Sequence, residues 1–178
     1  HEKPGLYLKN KPLYLEEEGR WLLGSSTYHT EDKPHFLLIH EDWPDRPADF
    51  PMLAGGDQIA PKDPDGYMGS QPLIYPTATE LDDGTLLGLM RPNPPKDENG
   101  HLWKSVSHDR GINWTEAEET DIPNPNAGFD IHRTHDGNHI LIVNPTKGQY
   151  PPDGRNKLAL MLSEDDTETW PYQLWLEY

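Results

Sequence analysis

One pattern occurs three times in this chain and limits what it can fold into: an apolar run, an acidic-Gly turn, then a second apolar run. The copies read KPLYLEEEGRWLLGSS, turning at Glu18-Gly19; YPTATELDDGTLLGLMR, turning at Asp83-Gly84; and FDIHRTHDGNHILIVN, turning at Asp136-Gly137. Glycine takes a positive φ without a Cβ clash, so an acidic-Gly pair between apolar runs marks a tight hairpin. The three glycines lie 65 and 53 residues apart. Each hairpin is followed by a loop and a third apolar run, at 35–40, 101–107 and 157–163. The second and third copies add a fourth, at 116–122 and 172–178.

Short antiparallel strands in repeating groups of four are the outline of a β-propeller blade. A β-sandwich of twelve short strands is the alternative, but sandwiches do not usually repeat their turn chemistry at blade-like intervals. The expected fold is therefore all-β, a propeller portion of three four-stranded blades within one unit, 1–178, and a partial ring unless assembled. Blade 1 is expected over about 9–70 with a Pro- and Gly-rich insertion at 44–70, blade 2 over about 71–122 and blade 3 over about 123–178. The inner strands should begin near Asn10-Lys11-Pro12, Tyr75-Pro76-Thr77 and Gly128-Phe129-Asp130.

Composition agrees. Nineteen prolines and 15 glycines oppose long helices, while six Trp and eight Tyr supply large apolar bodies for a core. The net charge of −16 disfavours nucleic acid or an anionic membrane as partner, and no apolar run is long enough to span a bilayer. Cysteine is absent, which removes disulfides, thiolate catalysis and zinc–thiolate sites. That leaves the compartment open, with a secreted or periplasmic site expected. The chain begins at His1 without an initiator Met or a signal-peptide pattern, so a processed chain or a fragment is expected.

Two octets follow the third runs of copies two and three. SHDRGINW (Ser107, Asp109, Gly111, Trp114) and SEDDTETW (Ser163, Asp165, Trp170) share their spacing except at the fifth place, where Thr167 stands for Gly111. The spacing suits a hairpin corner. The Asp accepts nearby backbone N–H groups, the Gly takes a strained backbone angle and the Trp packs back on its blade. Thr167 should loosen or distort the second turn. The same place in copy one reads HEDWPDRP and keeps only Asp42. His108, beside Ser107 and Asp109, tempts a catalytic reading, but it holds a variable place of the octet where the second has Glu164.

Ser107-x-Asp109-x-Gly111-x-x-Trp114 resembles the Asp-box of sialidase-type BNR repeats. With NKPL, YPTATELDDGTLLGLMR, IPNPNAGFDIHRTHDGNHILIVN and GRNKLALMLSEDDTETW in this order, about residues 9–171 are similar to the BNR-repeat, exo-sialidase-like family. The resemblance implies about half of a six-bladed propeller, carbohydrate activity and a glycan or acidic sugar as partner. A sialidase-like glycoside hydrolase is the leading reading. A propeller polysaccharide lyase or rhamnosidase-like enzyme, with His132 or Tyr75 as base, and a non-catalytic carbohydrate-binding module are the alternatives. Self-association of two chains would complete a six-bladed ring. The family's tyrosine nucleophile and its glutamate partner come from later blades, so no nucleophile is assigned.

Site candidates sit where the strands meet the far rim. Arg91 ends LLGLMR, and a guanidinium there suits a bidentate grip on a carboxylate. Arg155 precedes the third run of copy three. Asn144 and Ser26 hold the place of Arg91 in their copies, each seven residues past the turn glycine. Asp130 is the candidate general acid/base. Lys11 and Tyr75 hold comparable places, with Tyr75 offering a stacking face to a sugar ring. Surface ion pairs, turn caps and core packing are the structural alternatives at these positions. No metal or other cofactor is expected. His132 and His135 would point to opposite faces of a strand pair, Asp63-Pro64-Asp65-Gly66 reads as a plain turn, and a fragment boundary explains His1 more simply than a copper site.

Overall fold

The computed structural model describes residues 6–7, 9–27, 34–40, 73–92, 100–146 and 155–177. The expected insertion at 44–70 and the HEDWPDRP stretch beyond His40 lie outside them. The described chain forms twelve strands in three antiparallel sheets. Sheet 1 holds β1 (Leu6–Tyr7), β2 (Leu13–Leu15), β3 (Arg20–Thr27) and β4 (Pro34–His40). Sheet 2 runs in order β5 (Leu73–Glu80), β6 (Leu86–Pro92), β7 (His101–Ser107) and β8 (Glu118–Pro123). Sheet 3 repeats that order with β9 (Asp130–Arg133), β10 (His139–Val143), β11 (Leu158–Ser163) and β12 (Tyr172–Glu177).

The turns follow their sequence. Leu81 N–H donates to Thr85 O at 2.8 Å and Gly84 N–H to Leu81 O at 3.0 Å; Thr134, Asn138 and Gly137 repeat both bonds. Gly84 and Gly137 have φ of 82° and 91°, the left-handed place of a three-residue hairpin loop. Sheet 1 reaches four strands differently. β1 and β2 pair successive parts of β3 on one side, and β4 pairs the other. β5 begins two residues earlier than expected, because Leu73 and Ile74 already pair with Pro92 and Arg91. Tyr75 and Pro76 then stand together opposite Met90, a β-bulge with Tyr75 at φ 54°.

Two apolar seams hold the sheets together. Sheets 1 and 2 meet through Leu15, Leu22, Phe36, Leu38, Leu86 and Met90. Sheets 2 and 3 meet through Leu87, Leu89, Leu102, Phe129, Ile131 and Leu141. Side chains alternate along a strand, so β6 sends Leu86 and Met90 to one seam and Leu87 and Leu89 to the other. Sheet 2 is thus buried on both faces, which is why its strands read as near-continuous apolar runs. Gly88 lies where Phe36 and Trp114 stack at 4.2 Å between centroids; a Cβ there would come within 2.9 Å of both rings.

Sheet 3 covers one face only. Its far face carries Ile142, 40% exposed, and Leu174, 60% exposed. Both lie across from Leu160 in the pairing of β10, β11 and β12.

Candidate functional site

The inner strands converge. Lys11, ahead of β2, donates from Nζ to Asp130 Oδ2 at 3.0 Å and to Ile131 O at 2.7 Å. Thr77 on β5 donates from Oγ1 to Asp130 Oδ1 at 2.7 Å. Residues of the first and third sheets can touch in this way only where the three sheets come together at one edge. Asn10 Nδ2 closes the same edge from sheet 1, donating to the carbonyls of Tyr75 at 2.9 Å and Pro76 at 3.2 Å.

At the rim where β5 starts and β6 ends, Arg91 is 8% exposed. Its guanidinium lies 4.6 Å from the Tyr75 ring centroid, and Lys9 Nζ lies 4.2 Å from the same centroid. Arg91 Nη1 donates to Asn126 O at 2.7 Å, and Arg155 Nη2 donates to that same oxygen. Arg91 Nε is buried without an acceptor. Burial first, then the like charge of Arg155, pulls the Arg91 pKa down to about 10 against the opposing effect of Tyr75. The group is still a cation at neutral pH, held where a cation is costly. Asn144 Nδ2 donates to Lys157 O at 2.6 Å and Arg155 O at 3.4 Å, shaping the backbone that carries Arg155.

The sequence-derived candidates therefore fall into two clusters on shared strands. Arg91, Arg155 and Tyr75 meet around Asn126, with Asn144 behind Arg155. Lys11 and Asp130 meet each other, with Thr77 between the strands. Ser26 Oγ accepts the Tyr75 N–H at 2.8 Å, so Ser26 and Arg91, equivalent by position, each reach toward the next sheet. Asn126 and Lys9 were not singled out by sequence reasoning. The one available signal for Asn126 was its identity, because Asn tolerates the left-handed region it adopts at φ 56°.

The octets occupy the opposite rim, beside the hairpin turns. Ser107 Oγ donates to Asp109 Oδ1 at 2.9 Å and accepts the Gly111 N–H at 2.8 Å, while Asp109 Oδ1 accepts the Asn113 N–H at 2.8 Å. Ser163, Asp165, Thr167 and Thr169 make the same three bonds at 2.8, 2.9 and 2.8 Å. The second turn is thus no looser than the first. Thr167 adopts φ 74° where Gly111 has 88°, so the strain goes into its backbone. Burial raises the Asp109 pKa, but the Asn113 and Ser107 bonds outweigh it and hold the carboxyl below its ordinary range. For Asp165 the Thr169 hydroxyl and N–H are the leading causes of a similar lowering. His108 Nδ1 meets Thr85 Oγ1 at 3.2 Å, while the Ser107 hydroxyl bonds to Asp109 and Gly111 of its own octet. Trp114 does more than pack on its own sheet: it stacks on Phe36 of sheet 1, and Trp170 joins the seam with sheet 2.

Residues 5–178 match the family model of the BNR repeat-like domain. The chain belongs to that family. No curated protein matches it. Among solved structures, this BNR repeat-like chain is similar to a protein of unknown function from Dyadobacter fermentans, at 12% identity and a TM-score of 0.64, over 97% of this chain and 42% of that one. It is also similar to a mutant of the NanB sialidase from Streptococcus pneumoniae, at 18% identity and a TM-score of 0.61, over 98% and 24%. A third is the intramolecular trans-sialidase from Ruminococcus gnavus, at 16% identity and a TM-score of 0.54, over 97% and 35%. The chain spans less than half the length of each. At these identities the likeness establishes the fold: all-β, a sialidase-type propeller portion, whose three four-stranded blades are the three sheets.

Proposed function

We propose that this chain is the carboxylate-binding portion of a carbohydrate-active propeller, a sialidase-like glycoside hydrolase acting on acidic sugars. One observation carries the reading. Two guanidinium groups, one of them buried, converge on a single oxygen beside an aromatic ring, in a chain whose net charge is −16. A neutral carbonyl gives the buried Arg91 cation no opposite charge. A carboxylate accepts paired N–H bonds from guanidinium groups and supplies the missing charge. Tyr75 draws both cations to its ring, Arg91 at 4.6 Å and Lys9 at 4.2 Å from the centroid, which gathers positive charge in the same place. Lys11 and Asn144 belong to the surrounding frame. Asp130 is the acid–base candidate.

A second reading has its own support. Asp130 accepts from Thr77 on Oδ1 and from Lys11 on Oδ2, so both oxygens are already engaged. That favours a module that binds acidic glycans without turning them over. The two readings separate in one experiment. The chain is assayed for binding and turnover of a sialoside, an acidic polysaccharide and a neutral glycan, then again as Arg91→Ala. Turnover of an acidic glycan that Arg91→Ala abolishes supports the enzyme, and binding without turnover supports the module. Acidic-glycan binding that survives Arg91→Ala would sink the clamp in either form.

A further inference from the structure

We propose that Asn126 is the positioning residue of the anion site: its backbone carbonyl pins Arg91 and Arg155 side by side before any ligand arrives. The proposal rests on the carboxylate reading above. Arg91 comes from the end of β6 and Arg155 from the chain ahead of β11, so two separate blades supply the two charges. Like charges brought together repel, and Arg91 is held in its place with little water to screen it. The Asn126 oxygen has two lone pairs and takes an N–H from each.

The pin is itself held. Asn124 is fully buried, accepts the Ala127 N–H on Oδ1 at 2.9 Å and donates from Nδ2 to Ala127 O at 3.1 Å. Its own N–H donates to Gly100 O at 2.9 Å. This closed turn places Asn126 in the left-handed region, at φ 56°, and that conformation aims its carbonyl. Asn and Gly adopt it readily, whereas a β-branched residue does not. One N–H of each guanidinium is spent on the pin. Arg91 keeps N–H groups beyond the one spent on the pin, and these remain for an incoming carboxylate oxygen. Pre-ordering of this kind lowers the cost of binding, because the donors need not be gathered when the ligand arrives.

The test compares Asn126→Gly, Asn126→Ala and Asn126→Val in the full chain. Glucuronate is the probe and glucose the neutral control, with arginine side-chain NMR as a readout that needs no ligand. Asn126→Gly is expected to keep the Arg91 and Arg155 Nε–H signals and the wild-type glucuronate affinity. Asn126→Val is expected to shift both signals and to weaken glucuronate about tenfold, the size of a β-branched left-handed penalty. Asn126→Ala should fall between them and covers the case in which the valine variant does not fold. Unchanged signals in the alanine and valine variants would overturn the pin. So would a glycine variant as impaired as the valine one, since the side chain rather than the carbonyl would then matter. If wild-type chain ignores glucuronate while valine alone displaces both arginine signals, the carboxylate reading fails and the pin stands.

Discussion

Arg110 and Asp166 hold the same place in their two octets, both in the left-handed region at φ 60° and 58°, and each reaches back to the hairpin turn of the preceding blade. Arg110 donates from Nε and Nη2 to the two oxygens of Glu18 at 2.7 and 3.0 Å, and from Nη1 to Glu80 Oε1 at 2.6 Å. Asp166 accepts the Asp82 N–H on both oxygens, at 3.2 and 3.0 Å. The chemistry is opposite in charge and the job is the same. A turn motif that closes its own blade also fastens that blade to its neighbour.

Arg110→Ala should therefore loosen the first seam. It leaves Glu18 and Glu80 without their shared cation, and a loss of about 1–3 kcal/mol is expected from denaturant unfolding. The Arg110 hydrogen bond is the leading cause that holds the Glu18 pKa below its ordinary 4.5. A depressed carboxylate contributes stability above its unfolded pKa and loses it as pH falls through the folded one. The gap between wild type and variant should thus close in acid, below about pH 4.5.

Thr167→Gly should stabilise the chain. The octet bonds stay, because Gly111 makes the same ones in blade 2. Only the cost of a β-branched residue at φ 74° is removed. A gain of about 1 kcal/mol is expected, read as a higher melting temperature. The reverse change, Gly111→Thr, should cost more, since a Cβ there would come within 2.9 Å of Leu22.

His139 is fully buried between blades 2 and 3. Its Nε2 faces Glu80 O at 3.3 Å, and its Nδ1, 3.9 Å from Asp166 Oδ1, makes no hydrogen bond. Burial lowers its pKa from the ordinary 6.5, against the pull of the Glu80 carbonyl and Asp166. The unfolded chain then binds the proton more readily, so stability should fall as pH drops below about 6.5. His139→Gln should flatten that slope in melts taken above and below pH 6.5. An unchanged slope would place the pH dependence elsewhere.

The open face of blade 3 should drive self-association into a two-chain ring. Ile142 presents apolar surface that its equivalent in blade 2, Leu89, buries, and Leu174 widens the exposed patch. Sedimentation should give a dimer mass, more so at high salt, which screens a net charge of −16 per chain. Ile142→Asp should return a monomer. A wild-type chain that sediments as a monomer at tens of micromolar, where a weak interface of this class would associate, removes the idea.

Local chemistry was legible in the sequence and distant chemistry was not. Each acidic-Gly turn names its own hairpin, because its few residues set both φ and the closing bonds. The octets likewise read as turns. Counting seven residues from each turn glycine placed Ser26, Arg91 and Asn144 at one rim before their partners were known. The partners lie far along the chain. Trp114 meets Phe36 across a seam, and Lys11 meets Asp130 across two, and nothing local announces either. The pin on the two arginines is a backbone oxygen, which carries no side-chain signature at all. The bulge at Tyr75 was hidden for a similar reason, since YPT reads as plain strand and the extra residue appears only in the pairing.

Each seam joins unlike surfaces. At one rim a blade offers a side chain, Ser26 or Arg91, to the backbone of the chain beyond it, and at the opposite rim the next blade's octet reaches back to its turn. The row of blades consequently has a direction, like a chain of hooks and eyes. Two ends of the same kind cannot mate, so a further blade can join blade 3 only by its own back. Where copies meet through this face the contact runs head to tail, and such contacts either close into a ring, when the last hook finds the first eye, or run on as a filament.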